Sequence, residues 1–263
     1  MSKRRINLNR VVLTPRRGQV KICFFGDQHL GAGTYLADVA ADVRDYCIKN
    51  KIYMIGMGDH IENATRNSVG SGVYSQKMNP QDQVDEIIEF FRPVADAGLL
   101  LGVHTGNHCE RAMKDSGLDI IKLVCTALGV PYLGYTCFHH FRVGKQSYTA
   151  FTTHGATGSA TLAGKINAAT KTAKSKRVDI VGYAHTHELF HFAIPYEKIL
   201  KRNKTVVMGD QHVFLTGGYL GYKGSYAEMK GYSPVKVGSP IVTMDSKEFK
   251  ITPDIKTLEG GVS

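Results

Sequence analysis

The chain has 263 residues, 43% of them hydrophobic, and a net charge of +10. That is ample apolar material for a core, yet no run approaches the roughly 18–20 apolar residues that a membrane span requires. Five cysteines, odd in number and without a Cys-x-x-Cys pair, argue against a disulfide framework or a cysteine zinc site and favour reducing cytosol.

The start, Met1-Ser2-Lys3-Arg4-Arg5, lacks the apolar stretch expected of a signal peptide. Residues 1–21 hold seven Lys/Arg and no acid, and residues 142–236 hold fourteen against five, whereas residues 22–141 hold nine against fourteen. Such a basic surplus expects a polyanionic partner, nucleic acid first. The lysines of 165–177 fall all round a helix, so the field is broad.

The first apolar run, Val20 to Phe25, reads as a buried strand ending at Gly26-Asp27-Gln28-His29. Side chains two apart on an extended strand share a face, so Asp27 and His29 can close on one ion. Thr34 to Asn50 has helical spacing, with Thr34 as the expected cap. A second strand, Ile52 to Met57, leads into Gly58-Asp59. Asn63 to Asn79 reads as a long functional loop. Gln81 to Ala97 is helical behind Pro80, and a third strand, Leu99 to Val103, precedes Gly106-Asn107-His108. Strand–helix alternation of this kind marks an α/β sheet.

The second half is expected to hold a helix over 118–128, strands at 137–143 and 147–153 with His154-Gly155 after them, and a helix over 160–174. A strand over 178–181 then leads to His185-Thr186-His187, and short antiparallel strands follow to the end. One sheet per half, packed face to face, accommodates this pattern. No repeat or linker divides the chain, so residues 1–263 are read as one domain, with a basic segment at 1–19 and a β region at 217–263.

Asp27, His29, Asp59, Asn107, His154, His185 and His187 all fall just beyond strand ends, where open α/β sheets carry their sites. Seven O/N donors, one able to bridge, suit two divalent ions ~3.5–4 Å apart. Manganese leads, with iron, zinc or magnesium compatible.

The set Asp27-x-His29, Gly58-Asp59-x-x-Glu62-Asn63, Gly106-Asn107-His108, His154-Gly155 and His185-x-His187 resembles the calcineurin-like metallophosphoesterases over residues 20–190. The resemblance implies a four-layer α/β/β/α sandwich of two mixed sheets flanked by helices. It also implies one metal on Asp27, His29 and His187, a second on Asn107, His154 and His185, and Asp59 bridging. His108 would face the leaving oxygen, and a metal-activated hydroxide would attack phosphorus. Cys109-Glu110 stands where the family has an acid directly after Gly-Asn-His, so Glu110, like Glu62 and His60, is a candidate supporting or substrate-contacting residue. Leu30-Gly31 and the wording from Asn63 to Gln76 are similar to phage and bacterial nuclease-like members.

The expected function is therefore a phosphodiesterase acting on nucleic acid, a DNA exonuclease or endonuclease. The alternatives are a phosphomonoesterase, a small cyclic-nucleotide phosphodiesterase, or a non-catalytic scaffold of the same fold. A homodimer is left open. Gly209-Asp210-Gln211-His212 repeats the wording of Gly26 to His29 but reads as a hairpin turn. Tyr219, Tyr222, Tyr226 and Tyr232, set among glycines and lysines, fit either base stacking or a Tyr-rich β region. His104 reads as packed or supporting.

Overall fold

Along Gln19–Phe25, Val20, Ile22 and Phe24 turn to one side and Cys23 and Phe25 to the other, and all five are buried. A strand apolar on both faces must be covered on both. The computed structural model, which describes residues 7–65, 68, 72–200 and 204–255, shows how. In chain order the elements are β1 (Leu8–Leu13), β2 (Gln19–Phe25), α1 (Ala37–Asn50), β3 (Tyr53–Gly56), α2 (Gly72–Ser75), α3 (Pro80–Asp96), β4 (Leu100–His104), α4 (Asn107–Ser116) and α5 (Ile120–Leu128). Then come β5 (Tyr132–Gly134), β6 (Thr136–Val143), β7 (Gln146–Thr153), α6 (Leu162–Lys174), β8 (Ile180–Tyr183), β9 (Leu189–Leu200), β10 (Thr205–Thr216), α7 (Tyr226–Met229), β11 (Ile241–Asp245) and β12 (Ile251–Asp254).

They form two mixed six-stranded sheets, ordered β12-β11-β2-β3-β4-β5 and β1-β6-β7-β8-β10-β9. Phe24, Ile55, Phe141, Ile180 and Phe214 fill the space between the sheets. Phe25, Met54, Ile87, Phe91 and Val124 pack α1, α3 and α5 on the first sheet, and Val181, Val213 and Ala169 pack α6 on the second. This is an α/β/β/α sandwich.

The sequence predicts one sheet per half of the chain, but the sheets do not divide it so. β1 pairs in parallel with β6, and β11 pairs antiparallel with β2, so each end of the chain completes the other half's sheet. The segment 1–19 therefore contributes a strand, while residues 1–6 lie outside the described part. Gly209–His212 is no turn: it lies inside β10, where Gly209 pairs with Tyr196 and His212 with Ala193. Twelve paired positions with β9 carry the ladder through the glycine. The first helix starts three residues late, without a side-chain cap, because Tyr35 bridges Leu220 and the Thr34 carbonyl accepts from Gly221 N–H. Much of 217–238 is irregular rather than β. Tyr219 is buried with its hydroxyl 2.8 Å from Ser239 Oγ, and Tyr222 donates to the Tyr232 carbonyl. Of the 63–79 loop, residues 66, 67 and 69–71 lie outside the described part. All five cysteines are buried thiols.

A buried polar connection through two histidines crosses between the sheets. His104 Nδ1 donates to the Gly134 carbonyl at 2.8 Å, so its Nε2 accepts from the Thr152 hydroxyl at 2.6 Å. Thr152 Oγ1 in turn accepts from His139 Nε2 at 2.6 Å. The chain of donors requires a neutral His104, and a second proton on His139 would sit on a buried Nδ1 that has no partner among the described residues. Burial pushes His104 down to about 4 and His139 to about 3. Folded pKa values below the unfolded ~6.5 mean that the unfolded chain binds more protons, so stability is lost as pH falls from about 6.5. Each ring should therefore remove about 2 kcal/mol between pH 7 and 5. In denaturant titrations with chelator present, His139→Phe should lose about 2 kcal/mol less than the wild type over that interval. An unchanged difference would show that His139 is not held neutral.

Candidate metal centre

Every candidate donor sits at the carboxyl end of a strand, on a backbone that has just left the sheet. Asp27 (φ 51°), His29 (φ 52°), Asp59 (φ 48°), Asn63 (φ 43°), His185 (φ 67°) and His187 (φ 53°) all occupy the left-handed region. For residues other than glycine this conformation costs about 1–2 kcal/mol each, and Asp, Asn and His are the types that visit it most readily. Strain of this kind gathers at functional sites. It also revises the reason for convergence. β2 ends at Phe25, so Asp27 and His29 meet through two left-handed turns and not through strand alternation. Backbone bonds from Asp27 N–H to Gly58 O and from His29 N–H to Asp59 O, both 3.0 Å, lock these turns against the end of β3.

Two glycines let the loops close. Gly58 has φ 97°, and a Cβ there would meet His154 Nδ1 at 2.7 Å and the Thr105 carbonyl at 2.9 Å. A Cβ on Gly106 would collide with the Asp59 carboxylate. Without side chains at these points, α4 brings Asn107 and His108 directly onto Asp59.

The donors fall into two groups. In the first, Asp27, His29 and His187 each offer an atom within 4.8 Å of the others. His29 Nε2 lies 3.2 Å from His187 Nε2, which is 3.6 Å from Asp27 Oδ1. Glu62 Oε2, 3.0 Å from His29 Nδ1, turns Nε2 inward. The second group is Asp59, His154 and His185, joined by Asn107. Asn107 Oδ1 is 2.9 Å from His154 Nε2 and 2.8 Å from His185 Nδ1, and Asp59 Oδ2 is 3.1 Å from His154 Nε2. The outer nitrogens donate to the Met57 carbonyl from His154 and to the Thr157 carbonyl from His185, fixing both tautomers. The groups are tied together where His185 N–H donates to Asp27 Oδ2 at 2.9 Å.

These residues fit divalent cations. Two donors each about 2.1 Å from an ion at right angles stand about 3 Å apart, which is the spacing seen in both groups. Asp27 is wholly buried, and its Oδ1 has no hydrogen-bond partner among the described residues. Burying a charge unpaired is costly, and with protein groups alone burial pushes the Asp27 carboxyl up to about 7. For His154, burial opposes the charged form, but the Asp59 charge outweighs it and raises the imidazole to about 9. Asp59 itself stays well below the ordinary range, because the imidazoles of His154 and His108 outweigh its burial. Carboxylates held this way among inward-facing ring nitrogens suit a borderline ion such as manganese, iron or zinc.

His108 stands beside the donors. Its backbone N–H donates to Asp59 Oδ1 at 2.9 Å, and its Nε2 is 3.9 Å from Asp59 Oδ2. Nδ1 donates to the Glu62 carbonyl at 2.9 Å and lies 3.3 Å from Glu62 Oε2. Burial works against the imidazolium, but Asp59 and Glu62 prevail and raise its pKa above the ordinary value. Glu62 thus supports both His29 and His108. Glu110 instead approaches Lys114 at 3.5 Å. His60 is fully buried, hydrogen-bonded to Gln28 at 2.8 Å and stacked on Phe25, away from the donors.

Two residues at the site were given no role from the sequence, although Asn63 belongs to the Gly58-Asp59-x-x-Glu62-Asn63 motif. Asn63 Nδ2 donates to the His108 carbonyl at 2.8 Å, and Arg111 Nη2 donates to His108 Nε2 at 3.2 Å. The signal for Arg111 was available: on α4 it is one helical turn beyond Asn107 and His108.

No family model and no curated protein matches this sequence. Among solved structures, Yfce, a phosphoesterase from E. coli, aligns at 16% identity and a TM-score of 0.42, over 90% of this chain and 99% of that one. A predicted phosphoesterase from Streptococcus pneumoniae aligns at 14% and 0.42, over 93% and 96%. Vps29 from Entamoeba histolytica aligns at 14% and 0.40, over 89% of each chain. Likenesses this distant assign no chemistry.

Proposed function

We propose that this chain is a metal-dependent phosphoesterase of the calcineurin-like kind with a dinuclear centre. Its substrate in this reading is a phosphodiester of nucleic acid, DNA first, in the cytosol. The observation that carries the proposal is the convergence of seven O/N donors from five strand ends, including the buried, unpartnered Asp27 Oδ1. The basic surplus of the chain supports a polyanionic substrate.

Asp27, His29 and His187 would hold one cation and Asn107, His154 and His185 the other, with Asp59 between them. Bound there, such ions supply Lewis acidity toward a phosphoryl group and lower the pKa of water. Asn107 binds without adding charge, which keeps the centre receptive to an anion. Glu62 fixes the His108 ring, so that Nε2 can hold a proton beside a departing oxygen and release it there. Phosphoryl transfer needs mainly such positioning and electrostatics.

Purified protein with manganese, magnesium, iron or zinc should release nucleotides from labelled single- or double-stranded DNA. Aryl phosphodiesters should be cleaved in preference to monoesters. A preference for monoesters would move the substrate class to phosphomonoesters. A chain that binds cations yet cleaves none of these substrates would be a scaffold, and the catalytic proposal would be lost.

A further inference from the structure

Arg111 lies beside the donor cluster. Its side chain is 22% exposed, and it donates to the Glu62 carbonyl at 2.9 Å and to His108 Nε2 at 3.2 Å, with the Glu62 carboxylate ion-paired to it at 3.6 Å. A guanidinium is thereby held against the imidazole that stands beside the metal donors, where an anion seated on those donors would meet it. Arg111 shares the α4 face with Asn107 and His108, and His108 Nε2 is itself 3.9 Å from Asp59 Oδ2, so the fork adjoins the metal donors through the His108 ring.

The geometry points to Arg111 as a substrate-contacting residue: its fork takes non-bridging oxygens of the substrate phosphate, leaving the Glu62 carbonyl and His108 Nε2 as that phosphate seats. This rests on the phosphoesterase reading and adds to it a fixed cation that recognises the phosphate itself. A planar guanidinium matches two phosphate oxygens in a way that a lysine ammonium does not.

The test uses Arg111→Gln and Arg111→Lys in the metal-loaded protein. A lost ground-state contact should raise KM for a phosphodiester about 10–100-fold in the glutamine variant, with kcat within about threefold. Lysine should restore part of the loss. Binding of inorganic phosphate to magnesium-loaded protein, followed by phosphorus NMR, should weaken by a similar factor, while manganese affinity stays unchanged. A fall in kcat at constant KM would show that Arg111 only positions His108 and would overturn the contact. Equal KM and phosphate affinity in wild type and both variants would overturn it as well, with the phosphoesterase reading intact. A wild type that cleaves no phosphoester would remove both. If the glutamine variant is poorly folded, the lysine variant decides, with an expected KM increase of about 3–10-fold.

Discussion

Asp59→Asn should reduce turnover about a thousandfold or more while leaving the chain folded. In the dinuclear reading Asp59 is the carboxylate shared by the two ions; in the structure its Oδ1 accepts from His108 N–H, and its Oδ2 faces His154 Nε2 at 3.1 Å. An asparagine keeps the shape but removes the charge that would hold two cations close together. Loss of residues that merely support metal ligands costs about 10–100-fold in affinity or activity, and removing the shared ligand should exceed that. In the metal-free chain the change also releases His154 from its charged state, so no buried imidazolium is stranded and folding should persist. Turnover at saturating manganese, with the metal stoichiometry measured by titration, checks this. Activity within tenfold of wild type, with two ions bound, would show that Asp59 does not bridge.

Asp27→Asn should act with opposite signs on the metal-free and metal-loaded protein. Without cations, burial raises the Asp27 carboxyl to about 7, above the unfolded value near 3.8. Between those values the folded chain keeps a proton that the unfolded chain has released, so stability falls as pH rises through the window. At pH 8 the buried charge costs about 2–4 kcal/mol, and the asparagine variant should be more stable by about that amount in chelator. With saturating manganese the order reverses, because ligand binding stabilises only a chain able to bind it. Melting curves of both proteins with chelator and with manganese read the crossing. A variant less stable than wild type in chelator would mean that Asp27 is already compensated by protein groups.

The sequence carried more of the site than of the fold. Donor types have few alternatives: Asp, His and Asn placed directly after apolar runs are chemically conspicuous, and glycines such as Gly58 and Gly106 mark where loops must approach closely. The strands were legible for the same reason, since Val20 to Phe25 and its counterparts are short and wholly apolar. Pairing partners were not. Leu8–Leu13 alternates like any edge strand, and only a parallel register with Phe138 to Val143 shows where it belongs. Gly209-Asp210 reads locally as a turn, yet a twelve-residue ladder overrides that preference. The α4 helix was unforeseen because its residues are polar; it is set by Gly106 and by the His108 N–H bond to Asp59.

What the residue order determined alone is a set of strand-end carboxylates, amides and imidazoles suited to cations, together with the layers of apolar segments that carry them. Only the tertiary structure decided how they meet. The left-handed turns at Asp27, His29, Asp59, His185 and His187 bring the donors together, Glu62 rather than Glu110 supports His108, and Arg111 comes to rest on its ring. The reason is physical: local propensity acts over a few residues, whereas these contacts, apart from the Arg111–His108 pair within α4, join positions dozens to more than a hundred apart. They form only when two sheets pack with the same ends aligned.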